Sequence, residues 1–147
     1  MPFDGCAVAP GGGAPTTPAA IGPVHVSTSI ADGDLVAFLA AHPQSTPFHS
    51  AAWGRAVEGA TGHRWHILVA RGGDGAILGV LPLHHIRSRL FGSTLASAGF
   101  AVDGGLLVTH PSAIDPLADA AIALARELGV PGVDLRGGIA PAGWTVD

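Results

Sequence analysis

The residues best suited to chemistry follow a predicted buried strand, and they include Arg87, Ser88 and Arg89. Guanidinium groups bind phosphate and carboxylate through paired hydrogen bonds, and a neighbouring hydroxyl adds a further donor. Gly104 and Gly105 lie further along the chain and give the backbone freedom to approach a ligand. These five residues predict a binding site for an anionic substrate. The alternative is a solvated connection whose arginines keep it soluble, and the residues alone leave both interpretations open.

The histidines do not suggest a metal site. Adjacent residues on a strand point to opposite faces, so His84 and His85 cannot close on one ion. His63 and His66 have a workable spacing, but no neighbouring carboxylate or cysteine supplies a third ligand. The Gly-x-Ser-x-Gly turn of many serine hydrolases does not occur, and Cys6 lies where nothing can orient a partner base. We therefore expect no metal, and the catalytic residues stay unknown.

The turn from Arg71 to Gly75 resembles the Gln/Arg-x-x-Gly-x-Gly/Ala loop with which acyltransferases hold the pyrophosphate of coenzyme A. Aligned on Arg71, however, the fourth position is Asp74, a carboxylate at the place where phosphate has to approach. A hairpin turn also lacks the helix N-terminus that makes such a loop bind anions. We therefore interpret it as a solvent-exposed turn and expect no bound cofactor.

Composition excludes several classes of protein. The 147 residues contain no lysine, which removes lysine Schiff-base chemistry and the phosphate-binding loop that depends on a lysine. A net charge of −4 argues against DNA as a partner. A single cysteine excludes an internal disulfide and fits a reducing compartment. No apolar run approaches the roughly 20 residues of a transmembrane helix, so a cytoplasmic protein without a transmembrane segment is expected.

The distribution of glycine and proline predicts a disordered leader over residues 1–22 and one domain over residues 23–147. Periodicity within the domain predicts an α/β (α+β) fold, with a mixed sheet flanked by helices. The predicted strands are Val24–Ser29, Trp65–Ala70, Ala76–Leu83, Ser93–Ser97, Gly105–Val108 and Val133–Arg136. The predicted helices are Leu35–Ala41 with Asp32 or Asp34 as its cap, Ser50–Ala60, and a third helix with Asp115 as its cap. The final strand, helix and strand favour two parallel strands.

The apolar stripes of these elements predict the core. In the third helix the stripe contains Leu117, Ala121, Leu124 and Leu128. Across the whole domain, the side chains that we expect to be buried are Trp53, Leu68, Leu81, Leu124 and Leu135.

Several different short motifs follow one another along residues 24–138. They are Phe48-His49-x-x-x-Trp53, Thr61-Gly62-His63, Gly79-Val80-Leu81-Pro82-Leu83, Arg87-Ser88-Arg89-Leu90-Phe91-Gly92, Gly104-Gly105 and Leu124-Ala125-Arg126-Glu127-Leu128-Gly129. This succession resembles FemAB-like proteins of the GNAT acyltransferase superfamily. More narrowly, it is similar to the FemAB-related proteins associated with the PEP-CTERM/exosortase protein-sorting system, and the stretch from Ser88 to Gly92 is the most specific part.

The resemblance implies two tandem GNAT-like domains, of which this chain contains the first, incomplete at its C-terminus. It implies N-acyltransferase or aminoacyltransferase activity in cell-envelope or exopolysaccharide biogenesis, with aminoacyl-tRNA or acyl-CoA as the acyl donor. The implied partners are a small-molecule or envelope-precursor acceptor and the second GNAT-like domain. The implied location is the cytoplasm, at the periphery of the inner membrane.

Within this resemblance, substrate binding is assigned to Arg87, Ser88, Arg89, Gly104 and Gly105. A non-catalytic binding or scaffold module of the same system is the alternative function. A free-standing acetyl-CoA-dependent enzyme is disfavoured because the pyrophosphate loop is missing. We therefore expect this chain alone to have no acyltransferase activity.

Overall fold

The computed structural model describes residues 21–145 as a six-stranded sheet with helices on both faces. The strands are β1 (His25–Ser27), β2 (Arg64–Arg71), β3 (Ile77–Ser88), β4 (Gly92–Ser97), β5 (Leu107–Val108) and β6 (Val133–Asp134). The helices are α1 (Asp32–Ala41), α2 (Ala51–Thr61) and α3 (Ile114–Glu127), and two short 3₁₀ turns, Pro47–His49 and Pro111–Ala113, precede α2 and α3. The predicted leader and Cys6 lie outside the described residues, except for Ile21 and Gly22.

The sheet is mixed, as the sequence predicts. Its order is β1-β2-β3-β4-β6, and every neighbouring pair is antiparallel except β4 and β6, which are parallel. β5 pairs with Gly79 and Val80 of β3, whose other edge is occupied by β2 at these residues, so β4 and β5 share one edge of β3. Both run opposite to β3 and therefore parallel to β6. The predicted parallel arrangement around α3 is confirmed.

The β2–β3 hairpin forms as predicted, but β3 is longer than the sequence suggests. It ends at Ser88 and not at Leu83, because β4 supplies ladder partners along the whole of its second half. Arg87 pairs with Ser93, and Ser88 pairs with Gly92. Arg87 and Ser88 therefore belong to strand β3, which corrects their predicted position after the end of that strand.

The helices divide the core into two layers. Ile67 and Val69 of β2 pack with Leu35 of α1 on one face of the sheet. Leu68 of the same strand packs with Leu117 of α3 on the opposite face. Successive strand residues point to opposite faces of the sheet, so alternate side chains of β2 pack into the two core layers. For this reason the sequence of β2 is a continuous apolar run.

The buried stripe of α3 differs from the predicted one. Its buried residues are Leu117, Ala118, Ala121 and Ala125, whereas Leu124 and Leu128 lie at the margin of the core. Alanine at three of the four buried positions lets the helix backbone approach the sheet closely. The stripe is therefore centred on the small residues and not on the large ones.

Both predicted N-terminal helix caps are wrong. The cap that the structure shows at α2 is Ser50, the predicted first residue of that helix, whose hydroxyl accepts from the Trp53 amide. α1 begins at Asp32, so both candidate aspartates lie in its first turn, where they favour the positive end of the helix dipole without capping it. Asp115 likewise lies inside the first turn of α3, since the preceding 3₁₀ turn moves the helix start to Ile114. Within residues 21–145 no helix has the length and apolarity to cross a membrane.

Two of the five predicted core side chains are fully buried, and three are not. Leu68 and Leu81 are at most 2% exposed. Trp53, Leu124 and Leu135 are only partly buried. Each of these three lies at the margin of its element: Leu124 beside the alanine stripe, Leu135 beyond the two paired residues of β6, and Trp53 toward the preceding 3₁₀ turn.

Gly54 sets the distance between α2 and the sheet. A Cβ atom at this position would overlap the indole ring of Trp65 in β2. The ring lies flat beneath the helix, with the Arg55 guanidinium 6.0 Å from its centroid. Glycine is therefore required here for close packing, although it is a poor helix former.

We expect Leu81→Ala to lower the free energy of unfolding by about 2–5 kcal/mol, because it leaves a cavity in the centre of the sheet. Urea denaturation monitored by circular dichroism measures this loss. Val36→Ala is the control, since Val36 is 66% exposed on α1 and its truncation removes little buried surface. Equal losses for the two variants would contradict the observed packing.

Two glycines of the same helix should respond to alanine with opposite signs. Gly54→Ala should destabilise the protein by about 1–3 kcal/mol, because the new methyl group overpacks against Trp65. Gly59→Ala should stabilise it by about 0.5–1 kcal/mol, since no atom lies within 4 Å of the added Cβ and alanine favours the helix. Thermal and urea unfolding of both variants provide the comparison. Stabilisation by Gly54→Ala would show that α2 does not lie this close to β2.

Candidate functional site

The strand that neighbours β3 is interrupted in its middle. β4 ends at Ser97, opposite Leu83, and β5 begins at Leu107, opposite Val80. Between these two points the chain leaves the sheet and returns to the same edge of β3. We call residues 98–106 the strand-break loop. Its position at the centre of the sheet makes it the main irregularity of the fold.

The chain that follows β6 closes the base of the strand-break loop. The Arg136 amide donates to Ser97 Oγ (2.7 Å), and the Arg136 carbonyl accepts from the Gly104 amide (3.1 Å). A Cβ atom on Gly105 would overlap the carbonyl oxygen of Gly137. Two segments that lie far apart in sequence can meet here only because glycine occupies this position.

The backbone of the strand-break loop is strained. Ala98 has a φ of 42° and Phe100 a φ of 65°, and they are the non-glycine residues with positive φ among residues 21–145. The left-handed conformation costs about 1–2 kcal/mol for a residue with a side chain. Gly104 returns so close to Ala98 that a side chain there would overlap the Ala98 methyl group. Such strain is maintained only where the surroundings enforce it, and it occurs preferentially at functional sites.

His84 of β3 holds the loop from beneath. Its Nδ1 atom accepts from the Gly99 amide (3.0 Å), and its Nε2 atom contacts the Gly54 carbonyl of α2 (3.2 Å). Because Nδ1 accepts, the proton resides on Nε2, which donates to the carbonyl. The ring is completely buried. His85 faces the other side of the sheet, opposite Leu95, in agreement with the expected alternation.

His49 makes the same type of connection from the segment before α2. Its Nδ1 atom accepts from the Thr46 amide (3.0 Å), and Nε2 donates to the Gly105 carbonyl (3.2 Å). The ring is 2% exposed. His49 thereby ties the helical layer to the returning end of the strand-break loop.

His42, at the end of α1, completes the set. Its Nδ1 atom accepts from the Gln44 amide (3.2 Å), and Nε2 donates to the Val108 carbonyl in β5 (2.9 Å). We call His42, His49 and His84 the histidine bridges. Each satisfies one amide and one carbonyl, and together they join α1, α2 and the 3₁₀ turn between them to the interrupted strand.

Burial favours the neutral form of two of these rings. Removal from water is the main cause that lowers the pKa of His49 and of His84 below the ordinary value for histidine. Hydrogen bonds to the Gly105 and Gly54 carbonyls oppose the shift but do not outweigh it. Since both nitrogens of each ring are engaged, the two residues act as structural connectors and not as proton-transfer groups.

A cleft of about 470 Å³ opens where the α1–α2 connection meets the strand-break loop. We call it the Asp103 cleft. Its lining consists of Pro43, Gln44, Ser45, Thr46, His49, Asp103, Leu106, Leu107, Gly138 and Ile139. The Asp103 side chain is exposed at this cleft, whereas the His49 ring is buried in its wall. The Asp103 carboxylate is therefore the group that can meet a positively charged ligand there.

A second cleft, also of about 470 Å³, lies at the far end of β3. It is lined by Thr61, Gly62, His63, Arg87, Ser88 and Arg89, and we call it the hairpin-end cleft. Arg87 lies four residues beyond Leu83, the residue opposite the start of the strand-break loop, which corresponds to about 13 Å along the strand.

The five residues that the sequence assigns to substrate binding therefore occupy two places. Gly104 and Gly105 belong to the strand-break loop, whereas Arg87, Ser88 and Arg89 form the hairpin-end cleft. The extended strand β3 places the two groups in different regions, and their role in substrate binding stays a prediction.

Sequence reasoning missed the histidine bridges and the position of Asp103. His49 lies within the motif Phe48-His49-x-x-x-Trp53, and Asp103 directly precedes Gly104-Gly105. These positions were the signal available in the sequence. The hydrogen bond from His49 to Gly105, however, spans 56 positions of the chain. Local spacing carries no information about a contact of that range.

Comparisons with known proteins identify the fold. No protein-family model matches the chain, and no curated protein sequence matches it. Among solved structures, it is similar to the crystal structure of ribosomal-protein-alanine N-acetyltransferase from Brucella melitensis biovar Abortus 2308, with a TM-score of 0.51 and 17% identity. The match covers 85% of this chain and 97% of that chain. The chain has a GNAT-like fold.

The GNAT-like fold confirms the mixed sheet flanked by helices that the resemblance implies. The likeness at 17% identity is one of architecture, and one fold supports many reactions. The strand-break loop and the Asp103 cleft are features of this chain's own residues within the GNAT-like fold.

We expect the protein to lose stability as the pH falls below about 6.5, the ordinary pKa of histidine. Burial lowers the folded-state pKa of His49, His66 and His84, so the unfolded chain takes up protons first. Their contribution is fully present above the unfolded-state pKa, and it is lost as the pH falls through the folded-state pKa. Urea titrations between pH 8 and pH 5 measure this dependence.

Single substitutions measure what a histidine bridge contributes to this pH dependence of stability. His84→Gln should lower stability at pH 8, because it disturbs the bonds to Gly99 and Gly54, and it should reduce the loss between pH 8 and pH 5. His25→Gln is the control, since His25 is exposed on β1. A pH dependence that is the same in both variants would contradict the role of the buried ring.

Proposed function

We propose that this chain is the first GNAT-like domain of a FemAB-like N-acyltransferase or aminoacyltransferase that acts in cell-envelope or exopolysaccharide assembly. The GNAT-like fold supports transfer to an amine, since the solved neighbour is described as an N-acetyltransferase. The motif from Ser88 to Gly92 supports the FemAB assignment and, within it, the branch associated with the PEP-CTERM/exosortase system.

The observation that carries the proposal is the strained strand-break loop. Ala98 and Phe100 turn the backbone out of the sheet ladder with left-handed conformations. Acyl transfer requires amide donors that are fixed in advance where negative charge develops on the carbonyl oxygen. The amides of Ala98, Gly99, Ala101 and Gly104 donate to protein acceptors and hold the loop backbone in place. The oxyanion donor would therefore be one of the loop's other amides, which this backbone keeps in a fixed position.

In the proposed reaction, the acceptor amine attacks the acyl carbonyl directly. A C–N bond forms, and the ester C–O bond of an aminoacyl-tRNA or the thioester C–S bond of an acyl-CoA breaks. The acceptor attacks as the neutral amine: an ammonium held at Asp103 first releases one proton to solvent, and the second proton, lost after the attack, ends on the leaving oxygen or sulfur. Asp103 would attract and orient the amine at the cleft, and His49 would keep the Gly105 carbonyl in place.

The start of α3 favours aminoacyl-tRNA over acyl-CoA as the donor. A helix N-terminus binds pyrophosphate through unoccupied amides. Here Pro111 has no amide hydrogen, the Ser112 amide donates to His110 Nδ1 (3.2 Å), and the Ala113 amide donates to the His110 carbonyl (3.1 Å). The Ile114 amide, the first of α3, donates to the Pro111 carbonyl. The first amide of the helix and the amides of the turn before it are therefore already engaged within the protein.

A non-catalytic binding module of the same system is the second candidate. The observation that favours it is that both nitrogens of each histidine bridge are engaged. In that case the Asp103 cleft would hold an amine-containing ligand without transferring a group to it.

We expect the purified chain to show no acyl transfer with acetyl-CoA or with charged tRNA, across a panel of amino acids and primary amines. The reason is that the amides at the start of α3 are occupied and that the resemblance implies a second domain. Radiolabelled donors measure the transfer. Turnover clearly above background with either donor would contradict the two-domain proposal and indicate an autonomous acyltransferase.

Measurements of ligand binding distinguish the proposed acyltransferase from the non-catalytic binding module. We expect an aminoacyl-adenosine mimic of the tRNA end to bind near the strand-break loop, and an amine to bind at Asp103, both detectable by calorimetry. Asp103→Asn should weaken amine binding about ten-fold or more, because a charge-assisted hydrogen bond is lost. Asp119→Asn, an exposed carboxylate on α3, is the matched control. Amine binding without any binding of the mimic would favour the non-catalytic module.

A further inference from the structure

The turn between β3 and β4 exposes two large apolar side chains at its tip. Leu90 is 87% exposed and Phe91 is 91% exposed. Isolated apolar residues are common on protein surfaces, but an adjacent pair at the end of a hairpin is the most protruding position that a fold offers. These two side chains contribute nothing to the core of this domain.

The tip is held in one conformation. Ser88 Oγ accepts from the amides of Leu90 (3.3 Å) and Phe91 (3.2 Å). Gly92 then takes a φ of 82°, which lets the chain return into β4 directly. The apolar pair is therefore presented by a rigid turn, so little conformational entropy is lost when the two side chains become buried against a binding partner.

Positive charge surrounds this tip. Arg87 and Arg89 are exposed on either side of Ser88, and Arg64 lies at the same end of the sheet, opposite His85. No acidic residue occurs between Asp74 and Asp103 in the sequence. The hairpin end is thus basic although the whole chain has a net charge of −4.

The arginines at the tip are available to an external partner. Among residues 21–145, the ion pairs involve Arg55, Arg71 and Arg136, all of which lie elsewhere. Phe100 adds a third apolar group to the same end, since its ring stacks on His63 of the hairpin-end cleft at 5.7 Å and is 58% exposed. The hairpin end therefore combines free cations with exposed aromatic rings.

The cleft itself is a poor site for a small anion. α2 ends at Thr61, and Gly62 caps it in the wall of the hairpin-end cleft. The C-terminal end of a helix carries partial negative charge, which repels an anion placed against it. Arg87 and Arg89 consequently serve an anionic partner better when they extend outward, at the level of the apolar tip.

We propose that the β3–β4 tip docks this protein on an anionic phospholipid surface. Leu90 and Phe91 would enter the boundary between headgroups and acyl chains, while Arg87 and Arg89 bind lipid phosphates. Stable membrane attachment requires an apolar and an electrostatic contribution together, and this tip supplies both. The inference does not depend on acyl transfer, because it uses the side chains of the β3–β4 tip and not the Asp103 cleft.

Co-sedimentation with lipid vesicles tests the proposal. The full chain is mixed with phosphatidylcholine vesicles, with or without 30% phosphatidylglycerol, at low and at high salt. We expect binding only when the anionic lipid is present, and we expect salt to weaken it. Each arginine near the surface contributes roughly a five-fold gain, so Arg87→Gln with Arg89→Gln should reduce binding by more than ten-fold. Leu90→Ser with Phe91→Ser should reduce it by at least ten-fold.

Matched control variants show whether the loss of vesicle binding is specific to the tip. Val36→Ser replaces an exposed apolar residue on α1, and Arg126→Gln replaces an exposed arginine on α3. Both should bind vesicles like the unmodified chain, and all variants should keep its melting temperature, since each altered side chain is exposed. Vesicle binding should also persist in 10 mM inorganic phosphate at constant ionic strength.

Four results would overturn the proposal. They are no binding to anionic vesicles, equal losses in the tip and control variants, abolition of binding by inorganic phosphate at constant ionic strength, and a lower melting temperature that accounts for the loss in the tip variants. Phosphate competition would indicate a small-anion site. A concentration-dependent dimer in sedimentation equilibrium that disappears with Leu90→Ser and Phe91→Ser, without vesicle binding, would assign the tip to self-association.

Discussion

Buried neutral imidazoles hold this protein together at the point where its sheet is interrupted. A strand that stops and restarts exposes amides and carbonyls, and an unpaired buried polar group costs about 1–3 kcal/mol. His42, His49 and His84 supply partners for groups on both sides of the gap. A neutral imidazole suits this task because it donates at one nitrogen and accepts at the other.

The strain of the strand-break loop follows from these bridges. His84 fixes the Gly99 amide, and His49 fixes the Gly105 carbonyl, so the chain between them has to turn within a short span. Ala98 and Phe100, the residues on either side of the fixed Gly99, adopt left-handed conformations. The imidazoles are fully engaged in holding the backbone, and the exposed Asp103 carboxylate is a group available to a ligand. Group transfer that depends on positioning fits this arrangement.

Charge is distributed between the two ends of the sheet in a complementary way. The Asp103 cleft presents a carboxylate, and the hairpin end presents exposed arginines beside exposed apolar side chains. The linings of the two clefts share no residue, although Phe100 of the strand-break loop stacks on His63 at the hairpin end. A cationic acceptor and an anionic surface can therefore be engaged at the same time without competing for the same residues.

The sequence alone determined the order and type of most elements, because alternation and helical periodicity are local properties of the chain. It also determined the end of α2 at Gly62 and the β2–β3 turn. Only the tertiary structure decided the rest: β3 continues to Ser88 because β4 pairs with it, and α3 buries alanines because the sheet lies close beneath it. The site was decided in the same way, since the bridge from His49 to Gly105 joins residues whose separation no local pattern encodes.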